Sequence, residues 1–153
     1  MWIGVTLDDK FGPGYRLKGF LYGGPGNLSG GGSLAQSGWG PSLKAGDTVD
    51  MKVTLTEDSR LIVEYGRNGL NLGTAFDIQG WEAFQGQPLR PVVCLGNKGD
   101  GVSITKVTAA QEFPTEGLVP AEDDINGDWV HKDDQSYSLC IKVLLTSQHS
   151  KLG

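Results

Sequence analysis

Apolar and polar residues alternate with a period of two along several short stretches of this chain, and no window carries a convincing helical period. In Val49-Asp50-Met51-Lys52-Val53-Thr54-Leu55 the residues Val49, Met51, Val53 and Leu55 share one face, the pattern of a half-buried strand. Leu61-Ile62-Val63-Glu64-Tyr65 places Leu61, Val63 and Tyr65 on one face in the same way. The polar residues Glu57-Asp58-Ser59-Arg60 between them predict a turn, so the pair forms a hairpin. Pro91-Val92-Val93-Cys94-Leu95 is apolar throughout and predicts a strand covered on both faces rather than a solvated edge. Val102–Val107 alternates again, and Tyr137–Leu144 predicts a further strand. Any helix is a turn or two, with Ala109-Ala110-Gln111-Glu112 its best place. Many short strands with turns between them give an all-β chain, a two-layer antiparallel β-sandwich.

Glycine strengthens that picture. The 153 residues include 24 glycines, about twice the usual share of roughly 7%. They gather in Gly23–Gly40, which by composition is a long flexible loop, and loops of that length in a compact domain are usually functional or disordered. A second stretch, Phe113–Asp124, combines two prolines with an acidic run and reads as a linker. The chain therefore divides into a core of residues 1–108, a linker of 109–124 and a tail of 125–153.

Charge and chemistry narrow the function by exclusion. A net charge of −5 opposes non-specific nucleic-acid binding, which requires basic residues to displace phosphate counterions. No apolar run reaches 18 residues, and Met1-Trp2-Ile3-Gly4-Val5 carries no basic or apolar leader, so no membrane association and a cytoplasmic location are expected. Cys94 and Cys140 sit in apolar stretches and are expected to be buried reduced thiols. Gly24-Pro25-Gly26-Asn27-Leu28-Ser29 lacks the third glycine of a dinucleotide loop, and no Gly-Lys-Ser/Thr follows. Glu122, Asp124, Asn126, Asp128 and Asp133 imitate a Ca²⁺ loop around Gly127, but both end positions carry the wrong acid and strand-like sequence follows, which favours a solvated turn. His131 and His149 have no ligand-spaced Cys or His, and no Gly-x-Ser-x-Gly occurs. No cofactor, metal or catalytic residue is expected. A hydrolase built on two carboxylates that meet only in space is the enzyme class left open.

The run Leu61–Phe76, with Asn68-Gly69 and then Leu72-Gly73-Thr74-Ala75-Phe76, resembles the signature hairpin of SPRY domains. Asn68-Gly69 suits a type I′ turn, with positive φ at both central positions. Gly73 is expected to permit a close backbone approach, and Ala75 and Phe76 to return to the core. Ala45-Gly46-Asp47-Thr48-Val49, Leu89-Arg90-Pro91-Val92-Val93 and Trp2-Ile3-Gly4-Val5 are similar to three further motifs of that family, in the right order. The resemblance implies a β-sandwich that recognises a peptide segment of a protein partner, as a monomer, with loops at one end. On matching positions those loops lie around Asp8–Tyr15, Gly23–Trp39 and Arg67–Asn68, and Tyr15, Tyr22, Trp39 and Arg67 are the candidate ligand contacts. Tyr22 and Trp39 are equally suited to anchoring the loop on the sandwich, whereas Trp81, Phe84 and Trp129 are expected in the core. The family has early strands ahead of the Trp-x-x-Gly-Val strand. Here Ser136–Val143 is similar to one of them, so a permuted domain is expected in which residues 125–150 supply strands to the sandwich; the alternative is a domain truncated at its N-terminal strands, with a tail that belongs to another module. A carbohydrate-binding module of similar shape, with Trp39 and Tyr15 stacking on sugar rings, is the alternative.

Overall fold

The computed structural model describes residues 1–8, 19–79, 89–111 and 137–148. Their regular structure consists of ten strands: β1 (Trp2–Thr6), β2 (Gly19–Gly23), β3 (Asn27–Gly30), β4 (Ser33–Gln36), β5 (Thr48–Leu55), β6 (Arg60–Arg67), β7 (Leu70–Gln79), β8 (Arg90–Cys94), β9 (Asp100–Gln111) and β10 (Tyr137–Ser147). They form two antiparallel five-stranded sheets, ordered β4-β3-β2-β1-β8 and β7-β6-β5-β10-β9.

The period-two pattern explains how the sheets meet. Ile3, Val5 and Tyr22 of the first sheet are buried, as are Val49, Met51, Val53, Leu61, Val63, Tyr65, Ile141, Val143 and Leu145 of the second, each on alternate positions. Two aromatic pairs cross the core, Tyr22 with Tyr65 at 5.2 Å and Phe20 with Phe76 at 5.4 Å between ring centroids. The Tyr65 hydroxyl donates to the Ile3 carbonyl at 2.9 Å, which joins the sheets through a polar contact. Residues 137–147 lie as β10 between β5 and β9, with Ile141, Val143 and Leu145 facing the core.

Four sequence expectations are corrected. Gly23–Gly40 contains β3 and β4, a hairpin whose glycines fall at Gly24, Gly26, Gly31, Gly32 and Gly38, all with positive φ at the bends. Only Leu28 of that hairpin is buried, so its short strands leave almost no periodic trace. Residues 109–111 continue β9 instead of turning into a helix, because they pair with Tyr137–Leu139. β8 is an edge strand, half-buried rather than covered on both faces, and Pro91 suits that edge since it has no N–H to donate. Cys94 and Cys140 are free, but each is half-buried.

In the signature hairpin, Asn68 and Gly69 adopt φ 52° and 81°, as the type I′ turn requires. Gly73 has φ 93° with open space where a Cβ would stand. Its role is the left-handed backbone beside two register shifts of β6 and β7, not a close approach. Trp81, Phe84, Trp129, His131, His149 and the acidic 122–133 loop lie outside the described residues.

Candidate recognition surface

One end of the sandwich gathers the turn Gly24–Gly26, the loop 37–47 between β4 and β5, and the turn Asn68-Gly69. These segments are cross-linked by backbone hydrogen bonds: Gly40 N–H donates to the Gly26 carbonyl at 3.0 Å, and Leu43 N–H to that of Gly24 at 3.2 Å. Gly46 N–H donates to the Leu145 carbonyl at 2.8 Å, tying the loop to β10. Gly26 must be glycine here, with φ 99° and a would-be Cβ only 1.9 Å from the Gly40 carbonyl oxygen. Gly38 N–H donates to the Asn27 side chain at 2.9 Å.

Under this loop lies an aromatic cluster. The Trp39 ring meets Tyr22 edge-on at 5.1 Å and 74°, and Tyr65 at 6.1 Å and 70°. Such arrangements are favourable for ring quadrupoles. The Tyr22 hydroxyl donates to the Pro41 carbonyl. Burial pushes the Tyr22 phenol above its usual range, against the opposing pull of Arg67, with Asp47 adding to the rise.

Beside it sits a polar clamp. The buried carboxylate of Asp47 accepts from Arg67 Nε at 2.9 Å, from Asn68 Nδ2 at 2.9 Å and from the backbone N–H of Lys44 at 3.0 Å. Asn68 in turn accepts from Thr48 N–H at 2.8 Å. Burial alone would raise the Asp47 carboxyl, but the hydrogen bonds from Arg67, Asn68 and Lys44 outweigh it and hold it below its ordinary value. A folded-state value below the unfolded one, about 3.9, adds stability that is complete above pH 4 and disappears as pH falls through the folded value. Asp47→Asn should therefore cost about 2 kcal/mol at pH 7, the order expected when charge-assisted bonds to a buried group are lost. In urea melts the gap to the unmodified chain should begin to narrow near pH 4 and shrink further as pH falls. A gap constant down to pH 3 contradicts this assignment.

The structure thus brings Tyr22, Trp39 and Arg67 to one end, while Tyr15 lies outside the described residues. The three differ in how much surface they offer. Tyr22 is 0% exposed, so it anchors the loop and cannot touch a ligand. Arg67 is committed to Asp47 and its side chain is 21% exposed. Trp39 is half-buried and retains solvent-facing surface.

A feature absent from the sequence reading adjoins this end. The outer face of the second sheet holds a shallow depression of about 630 Å³ whose lining includes Gly69, Leu70 and Asn71 of the hairpin. Strand register fixes its floor as two rows. One runs Glu64, Lys52, Cys140, Thr108; the other runs Asn71, Gly66, Asp50, Lys142, Lys106. Lys52 pairs with Glu64 at 3.7 Å and Lys142 with Asp50 at 3.3 Å. Neither row is visible from spacing along the chain, because each draws on four or five strands.

Among the described residues no group of three or more His, Cys, Asp or Glu could hold a metal ion, and no helix is long and apolar enough to cross a membrane. Comparison with protein-family models, with curated proteins and with solved structures returns no match.

Proposed function

We propose that the chain is a non-catalytic, SPRY-like recognition module that captures a short extended segment of a protein partner at the loop end of the sandwich. The observation that carries this reading is the hydrogen bonding among the loops themselves. The 37–47 loop is bonded to the 24–26 turn and to β10 through backbone groups, and to the 68–69 turn through Asp47 and Asn68. A surface ordered beforehand loses less conformational entropy on binding. Trp39 offers the contact, since it is held from beneath by two buried tyrosines and keeps one side to solvent.

A random peptide-display screen run beside a glycan array tests the reading, with Trp39→Ala as the companion variant. The expected result is peptide enrichment, about tenfold weaker binding by Trp39→Ala, and a stability loss of about 1–2 kcal/mol from the lost ring contacts. Glycan binding without peptide enrichment turns the assignment to the carbohydrate alternative. A loss of about 3 kcal/mol or more with binding intact makes Trp39 a core residue alone.

A further inference from the structure

The two sheets do not lie squarely over one another. β2, the middle strand of the first sheet, meets β6 through Tyr22 and Tyr65 and β7 through Phe20 and Phe76, whereas the middle of the second sheet is β5. The first sheet is thus displaced toward β7. One consequence is that β4 is exposed at all four positions. The other lies on the opposite flank, at β9. Opposed residues of an antiparallel pair share a face. Ile104 stands opposite Val143 and Val107 opposite Ile141, so both point to the core side of the sheet. Yet Val143 and Ile141 are 1% and 7% exposed, while Ile104 and Val107 are 67% and 58% exposed. β9 is therefore a ledge: Val102 still packs against the core, and beyond it the core-side face is apolar and uncovered.

This ledge is complementary to itself. Among the described residues β8 ends the first sheet and β9 ends the second. Only residues 95–99 join β8 to β9, so the two strands run in opposite directions in their two layers. A two-fold axis along the strands lays the ledge of a second copy over the first. Each β9 then stands beside the other copy's β8, antiparallel to it, and both sheets continue with their alternation of direction unbroken. Ile104 and Val107 of the two copies face one another. Joining two β9 edges side by side would leave these residues in water, so their exposure favours overlap. Charge permits the contact as well. Two chains of net charge −5 repel, but Val102, Ile104 and Val107 are neutral, and Lys106 lies on the other face, opposite Lys142.

We infer that the chain forms an isologous dimer in which the β9 ledges of two copies overlap, in place of the monomer that the family resemblance implies. Each copy has one such ledge and spends it on the other, so the assembly closes at two. Trp39 packs on β2 and β6, away from the β9 flank, so the dimer stands apart from the peptide-recognition reading. The contact draws on β8 and β9 alone, which places it at the small end of specific interfaces, below about 1,200 Å².

Sedimentation equilibrium tests it, on the unmodified chain from about 1 to about 200 µM. The expected result is a monomer–dimer equilibrium with a Kd on the order of 10 µM. Ile104→Asp should abolish the dimer. Ile104→Thr, which keeps a β-branched side chain, should weaken it about tenfold. Leu34→Asp, on the 63% exposed site of β4, should leave it unchanged. Melting temperatures of both Ile104 variants, read at about 1 µM where the chain is monomeric, should match that of the unmodified chain. A chain that stays monomeric throughout, or a dimer that both Ile104 variants leave intact, overturns the inference. Growth beyond two copies overturns the closed overlap. A monomer that both Ile104 variants destabilise shows that another part of the same chain covers the ledge, and overturns the second copy as its occupant.

Discussion

A chain truncated after residue 136 should fail to fold, giving no cooperative melting transition by circular dichroism and aggregating on size exclusion. β10 lies between β5 and β9, and β9 is joined to the second sheet only through it. Removing β10 therefore detaches β9 and turns β5 from an interior strand into an open edge. It also deletes Ile141, Val143 and Leu145, which are 7%, 1% and 1% exposed. Their burial contributes roughly 1.5–3 kcal/mol each, about 4–9 kcal/mol together. A domain is stabilised by only about 5–15 kcal/mol in total, so this loss, together with the detachment of β9, consumes most or all of it. The uncovered backbone of β5 then presents a pairing edge to other chains, the usual start of aggregation. A separate peptide of residues 137–148 added to the truncated chain should restore part of the transition by occupying the gap. A truncated chain that melts cooperatively as a monomer would show that the first sheet and β5–β7 suffice without β10.

That central place of β10 marks the boundary between what the sequence discloses and what it does not. The strand itself was legible from the alternation in Tyr137–Leu144, and β5 and β6 were legible for the same reason, since one face of each is buried. Asn68-Gly69 was legible because only residues tolerant of positive φ can close that turn. Pairing partners are a different matter. Periodicity gives each strand an inner face but no neighbour, and β10 finds its neighbours more than 25 residues away in β9 and more than 80 away in β5. The β3–β4 hairpin was hidden because strands of four residues bury a single leucine. The Asp47 clamp was hidden because its partners lie 20 and 21 residues along the chain. For Tyr22 and Trp39 residue type alone suited both a binding surface and an anchor. Burial separates the two, and it assigns Tyr22 to the anchor.

Tyr65 carries the second large expected effect. Its ring is 1% exposed and stands at the centre of the core, 5.2 Å from Tyr22 and 6.1 Å from Trp39. Tyr65→Ala should cost about 3–5 kcal/mol, since it leaves a ring-sized cavity between two sheets that cannot easily collapse. In a chain of 153 residues that lowers the melting temperature by about 10 °C or more. Tyr65→Phe separates packing from polarity. The ring remains, and the loss is that of the bond to the Ile3 carbonyl, about 1–2 kcal/mol with a buried acceptor left unpaired. Alkaline titration adds an independent readout. Burial pushes the Tyr65 phenol far above its ordinary range, so the folded state holds its proton more tightly than the unfolded chain does. The stability linked to that proton is complete below the unfolded value near 10 and is lost as pH rises above it. The unmodified chain should therefore lose stability steeply above about pH 10, and Tyr65→Phe should lose it more gradually, with Tyr22 supplying the remaining slope. If the two alkaline profiles coincide, the phenol is not held between the sheets as described. If Tyr65→Ala costs less than about 1 kcal/mol, the core does not close around this ring.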